Sequence, residues 1–192
     1  MKKKTGIVCS VMLAIAVVTG TSQVSTDNSA IGKVVIEGEV VGHLLVSSRA
    51  LEVIGDAEGC RLEPYNCPAG LLTDGIGNTH NVTGKTKTIE QISVDWVKNI
   101  SNSEKCLSSA MSTERTMTQG QFDAFTSFIF NTGCTVFNKN KDGSQTRIYK
   151  HIHNGNYENA CNELRFWVFA NGKKLKGLIN RRSLETEMCF AY

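Results

Sequence analysis

Residues 6–20 contain no charged side chain and lie just behind Lys2, Lys3 and Lys4. A basic flank ahead of an apolar run keeps the N-terminus cytoplasmic and sends the remainder of the chain outward. The run is fifteen residues long, short of the roughly 20 that span a bilayer comfortably. It lengthens only by taking in Thr21, Ser22, Gln23, Val24, Ser25 and Thr26, before charge returns at Asp27. Its Val and Ile are mixed with Ala, Gly, Ser and Thr, so it is a weak anchor. Two fates are open: a cleaved signal peptide, or an uncleaved segment that holds the chain in the membrane and later leaves it. No clean Ala-x-Ala site follows the run, which argues for the second.

Export makes disulfides the expected use of cysteine. The chain has seven, Cys9, Cys60, Cys67, Cys106, Cys134, Cys161 and Cys189, and an odd count leaves one over and invites a redox role. The sequence alone leaves the pairing open. Hydrophobic residues at 41% and charged residues at 20% exclude a disordered chain. A length of 192 residues suits one domain with an appendage. No solenoid repeat is present, and with Pro64 and Pro68 as the only prolines there is no proline-rich linker. Residues 139–192 carry ten Lys and Arg against five acids, a face that an anionic polymer or membrane would attract. No zinc spacing, phosphate loop or dinucleotide fingerprint is present, and no metal, cofactor or nucleic-acid partner is expected.

The patterning predicts an α+β fold, helix-rich with one small β lobe. Residues 29–46 are Val-rich and punctuated by glycine, and read as a linker with some extended character between a segment 1–28 and a body 47–192. Ser47 or Ser48 can cap a helix through Leu51, Val53, Ile54 and Ala57 that stops at Glu58-Gly59. Residues 60–80 hold Pro64, Asn66, Pro68, Gly70, Asp74, Gly75 and Gly77, turn chemistry that suits strands and turns. Thr88 then opens a helix with Ile89, Ile92, Trp96, Val97, Ile100 and Leu107 at helical spacing, and Thr118 opens another through Phe122, Phe125, Ile129 and Phe130. Further helices are expected over 145–153, 157–167 and 177–190. The spacing of Trp96, Trp167, Phe122, Phe125 and Phe128 marks them as core, not as sugar-stacking rings.

Glu58, where a helix runs into the turn-rich lobe, is a candidate general acid. Alone it is weak. Its surroundings are not: Glu58-Gly59-Cys60-Arg61-Leu62, Tyr65, and Thr73-Asp74-Gly75-Ile76-Gly77-Asn78-Thr79-His80 resemble the catalytic region of phage-type lysozymes. The resemblance continues in Gln121-Phe122-Asp123-Ala124-Phe125, Ser127-Phe128, Phe130-Asn131 and Gly133, and in Gly177-Leu178-Ile179 with Arg181-Arg182 and Glu185, covering roughly 47–190. It implies a lysozyme-like fold with the β lobe beside the acid. The implied activity is hydrolysis of the β-1,4 bond between N-acetylmuramic acid and N-acetylglucosamine in peptidoglycan, by a monomer. Glu58 matches the acid, Thr73 the threonine that positions water, and Phe130 and Thr79 substrate-binding positions. Cys67 stands where the family has Asp, and the order Asn78-Thr79-His80 departs from the family's Gly-His.

Cleaving a glycosidic bond takes a proton on the leaving oxygen and a second group that supports attack at the anomeric carbon. Thr73 can orient water but not deprotonate it, so Cys67 must act as thiolate base or nucleophile. The family position implies inversion; a thiolate nucleophile giving retention stays open. Cys67 with Cys9 in the export run is similar to the signal-anchor-release lysozymes of enterobacterial phages. That subgroup implies a Cys60–Cys67 lock in the tethered, inactive protein at the inner membrane and a Cys9–Cys60 bond in the released, active, periplasmic one. Cys106 with Cys134 and Cys161 with Cys189 are then expected as structural pairs. A Cys67–His80 thiol protease would leave Glu58 and Thr73 idle. A lytic transglycosylase and a non-catalytic wall-binding protein are the rival functions that stay compatible with the sequence.

Overall fold

Capping chemistry sets the two helices that organise the molecule. The computed structural model describes residues 7–21, 28–67, 70–112 and 116–191. Lys2, Lys3, Lys4, Asp27, residues 22–26 and Pro68 therefore lie outside the described residues. In chain order the elements are α1 (Val11–Thr19), β1 (Ala30–Ile36), β2 (Glu39–Ser47), α2 (Ser48–Glu58), β3 (Arg61–Asn66), β4 (Leu72–Gly75), α3 (Ile89–Ala110) and α4 (Gln119–Thr132). They continue with α5 (Cys134–Asn138), α6 (Arg147–His153), α7 (Tyr157–Leu164), β5 (Phe169–Ala170), β6 (Lys173–Lys174) and α8 (Lys176–Phe190). At the start of α3 the Thr88 hydroxyl accepts from the Gln91 amide while the Gln91 side chain accepts from the Thr88 amide. Thr118 and Gln121 repeat this capping box at α4. Each box satisfies two amides that a helix start otherwise leaves unpaired.

Two apolar clusters form the core. One gathers Phe125 and Phe128 of α4, Phe137 of α5, Ile148 and Ile152 of α6 and Leu164 of α7. The other gathers Ile15 of α1, Leu44 of β2, Leu51 and Ile54 of α2, and Trp96 and Ile100 of α3. Helix α2 lies between them, because its Val53 belongs to the first cluster and its Leu51 and Ile54 to the second. All the described sheets are two-stranded and antiparallel, so the fold is α+β and helix-dominated.

The 29–46 segment, expected as a linker with some extended character, is extended and folds as the β1–β2 hairpin against the body. Its glycines are structural devices. Glu37 and Gly38 form a two-residue turn with φ of 52° and 83°, the conformation that matches strand twist in tight hairpins. A Cβ on Gly42 would come within 3.3 Å of Val97 Cγ1, a tight contact that glycine avoids where the strand lies close on α3. Val34, Ile36, Leu44 and Val46 face the second cluster. Two buried carboxylates fasten the hairpin's end: Glu104 accepts from the amides of Leu45 at 2.7 Å and Val46 at 2.9 Å, and Asp123 accepts from the Ser47 amide at 3.0 Å and from its hydroxyl. Burial pushes both carboxyls above their ordinary range.

The apolar run is present as α1, capped by Ser10 and ended by a left-handed Gly20. Ala14, Ile15 and Val18 are buried, while Met12 and Leu13 stay about half exposed. No described helix is long and apolar enough to cross a membrane. Backbone pairing joins this segment to the body, with Cys9 donating to the Cys60 carbonyl at 3.1 Å and Leu62 to the Ile7 carbonyl at 2.9 Å. The seat of α1 depends on Gly55 of α2, where an added Cβ would stand 2.3 Å from Val11 Cγ1 and 3.4 Å from the Trp96 ring. Gly55→Val is therefore expected to cost about 1–3 kcal/mol of stability by overpacking and to open the α1 region to limited proteolysis. Protection equal to that of the parent would show that α1 does not need this notch.

Candidate active site

Glu58 is the last residue of α2, and Gly59, at φ 70°, turns the chain sharply into β3. The carboxylate then faces the β3–β4 hairpin, in which Tyr65 pairs with Thr73 and Asn66 with Leu72. Approach is close at Gly77, whose φ is 65° and where a Cβ would sit 2.8 Å from Glu58 Oε2. Any side chain there would displace the carboxylate. The hairpin's base is held by Asp74, fully buried, which accepts from Asn78 Nδ2 at 2.8 Å and pairs with Lys87 Nζ at 2.7 Å.

Between this hairpin and the α3 and α4 helices lies a cleft of about 600 Å³. Glu58, Cys67, Thr73, Thr79 and Phe130, the five candidate residues expected from sequence, all line it, and so does His80. Phe122, Phe125, Phe128 and Trp96 are packed in or against the core, while Phe130 stands at the cleft. Thr73 is buried and its hydroxyl donates to the Leu71 carbonyl at 3.0 Å, which leaves the oxygen's lone pairs as acceptors. Among the described residues, no group of three His, Cys, Asp or Glu is placed to hold a metal.

Sequence reasoning does not single out the groups behind Glu58 as functional residues. Arg181 Nη1 donates to Glu58 Oε1 at 2.5 Å, and its side chain is only 4% exposed. Arg182, one residue on, donates from Nη2 to Asn131 Oδ1 at 2.9 Å on the cleft wall. Glu185, with no exposed side-chain surface, is shared between the two guanidiniums. Burial lowers Arg182 to about 10 and pushes Glu185 up. Burial first, and then the Glu58 charge, raises Tyr65, whose ring carries the Arg61 guanidinium 4.7 Å from its centroid. Arg181, Arg182 and Glu185 belong to the family-like C-terminal motif, but their spacing on one helix also fits ordinary surface ion pairs, so the motif alone gives them no role.

Three disulfides are formed. Cys9–Cys60 joins the segment ahead of α1 to the residue after the Glu58 turn, Cys106–Cys134 staples α3 to the start of α5 beside the cleft, and Cys161–Cys189 joins α7 to α8. Cys67 takes part in none of them and keeps its thiol at the cleft edge.

A carboxylate carried by a helix end into a cleft walled by a small β-hairpin, in a helix-rich body, defines a lysozyme-like enzyme fold. The phage lysozyme family pattern matches residues 55–185, and the chain belongs to that family. Over 98% of its length it is 39% identical to the SAR-endolysin of Escherichia phage P1, covering 96% of that protein. The crystal structure of the active form of the phage P1 endolysin superposes with a TM-score of 0.76 at 38% identity, over 97% of this chain and 96% of that one. The secreted inactive form of the P1 endolysin gives a TM-score of 0.53 at 41% identity, over 74% of this chain and 94% of that one.

The disulfide set is directly checkable. Peptide mapping of the alkylated, unreduced protein in this conformation should recover the three bonds above, with the alkyl group on Cys67. A Cys60–Cys67 peptide in soluble, folded protein would contradict the arrangement.

Proposed function

We propose that the chain is a phage endolysin of the signal-anchor-release kind, a muramidase that hydrolyses the β-1,4 bond between N-acetylmuramic acid and N-acetylglucosamine and so lyses the host. The observation that carries this reading is Glu58, held by Arg181 at the back of the cleft, with Thr73 and the Cys67 thiol on the hairpin that forms its wall. Glu58 gives its proton to the leaving oxygen. Water on the other face of the sugar is oriented by Thr73 and activated by the Cys67 thiolate. An unperturbed thiol is mostly protonated at neutral pH, so this role needs surroundings that favour the anion. Phe130 and Thr79 bind the glycan, and the enzyme acts as a monomer.

The proposed cycle begins with residues 1–28 holding the protein at the inner membrane, its body in the periplasm. There a Cys60–Cys67 disulfide withholds the thiolate. After the segment leaves the bilayer, the Cys9 thiolate attacks Cys60 Sγ, the Cys60–Cys67 bond breaks, and Cys67 departs as the thiolate with no net oxidation. The Cys9–Cys60 bond, α1 seated on Gly55, and the greater coverage of the active P1 form all support reading the present conformation as the released one.

Glu58→Gln should lower release of reducing ends from peptidoglycan by about 10²–10⁴-fold, the usual worth of a general acid. Anhydro-sugar ends from the parent would mark a transglycosylase, and full activity in the variant would remove Glu58 from the chemistry. For the switch, Cys9→Ser should stay locked after release and Cys60→Ser should act without exchange. Normal lysis by Cys9→Ser with no added reductant would refute the switch.

A further inference from the structure

Arg181 poses a problem for the proposed acid. A cation beside a carboxyl group in general favours its ionised form, whereas leaving-group protonation needs the carboxylic acid, and Arg181 is hydrogen-bonded to Glu58. Behind Arg181 the fold places a countercharge that no solvent screens. Arg181 Nε donates to Glu185 Oε1 at 3.1 Å and its Nη2 donates to the Ser127 carbonyl at 3.1 Å, so the guanidinium's other edges are occupied as well. Glu185 Oε1 also accepts from the Ser127 hydroxyl at 2.8 Å and from Arg182 Nη2 at 3.2 Å. Its Oε2 lies 2.8 Å from Arg182 Nε in a charge contact without hydrogen-bond alignment.

The charged groups meeting here are Glu58 from α2 and Arg181, Arg182 and Glu185 from α8. Helix α4 contributes the uncharged Ser127 and Asn131, and α7 meets α8 through apolar side chains and the Cys161–Cys189 bond. From α8 Glu58 thus faces two cations and one anion, while the hairpin side of the cleft adds the Tyr65 hydroxyl, the Cys67 thiol and His80, which the variants below leave unchanged. Removing Glu185 would leave two uncompensated guanidiniums behind it; removing Arg182 would leave Arg181 fully neutralised.

We propose that Glu185 is a positioning residue for the muramidase reaction: it anchors Arg181 against Glu58 and offsets enough of the positive charge behind Glu58 for that group to remain a proton donor at working pH. This inference rests on the muramidase reading of Glu58. It goes further by assigning a function to a fully buried ion cluster that touches no substrate.

The test uses the full-length, oxidised protein and the pH profile of kcat, with direct carbon-13 NMR titration of the Glu58 carboxyl as a readout independent of turnover. Glu185→Gln, equal in shape, should move the high-pH limb and the Glu58 titration down by about one pH unit, a tenfold change in acid fraction above the limb. KM should change less than twofold. Arg182→Gln should move both in the opposite direction, and the double variant, which restores one net positive charge opposite Glu58, should return them toward the parent. A packing role cannot produce opposite shifts or recovery in the double variant. Should Glu185→Gln fail to fold, Arg182→Gln and the double variant still decide the matter. Unmoved titrations, or shifts of one sign in every variant, overturn the proposal. An inactive parent whose Glu58 titration still follows this pattern would instead count against the muramidase reading alone.

Discussion

Arg181 is the contact through which the site and the scaffold meet. Its guanidinium is almost wholly buried and divided among Glu58 at the cleft, Glu185 on its own helix and the Ser127 carbonyl of α4. Buried charges are tolerated only when their donors and counter-ions are supplied together. That requirement sets the spacing of three helices at once: α2 must end where Glu58 reaches Arg181, α8 must present its face there, and α4 must offer a carbonyl. The cleft geometry is thus a consequence of satisfying one cation, and the apolar clusters on either side of α2 hold the arrangement.

A second constraint comes from the N-terminal run, whose composition suits two environments and commits to neither. It is too short and too rich in small residues to be a firm anchor. On the protein it buries Ala14, Ile15 and Val18 while leaving Met12 and Leu13 in contact with water. A strongly apolar helix would favour the bilayer, and a polar one would have no seat on α3 and α2. The small residues that weaken the anchor also permit close packing, and the matching absence of a side chain at Gly55 completes the seat. In the proposed cycle this balance is what allows a segment to exchange a membrane for a protein surface, and the Cys9–Cys60 bond then makes the transfer lasting.

Helices α3 and α4 are legible in the sequence because their signals are local: a capping box and an apolar stripe at helical period need no knowledge of the rest of the chain. Glu58, Cys67, Thr73, Thr79 and Phe130 are legible through motif order, and the cleft brings all five together. The β1–β2 hairpin reads as a linker because Gly32, Gly38 and Gly42 resemble flexible punctuation. What gives them strand roles is non-local. Glu104 and Asp123 satisfy the end of β2 from α3 and α4, and Val97 packs closely over the bare backbone of Gly42.

The sequence by itself determined the elements whose causes lie within a few residues: the caps, the apolar stripes, the turn chemistry after Glu58 and the weak apolar run. It also determined the family, because ordered motifs survive without coordinates. The family resemblance anticipated which cysteines meet and tertiary structure brought them within reach; tertiary structure alone decided that the run docks on Gly55 and that Arg181, Arg182 and Glu185 form one buried cluster instead of three surface charges. The physical reason is the same in each case. Disulfide reach, steric fit and the screening of charge depend on distances between residues far apart in the chain, and such distances exist only after the helices have packed.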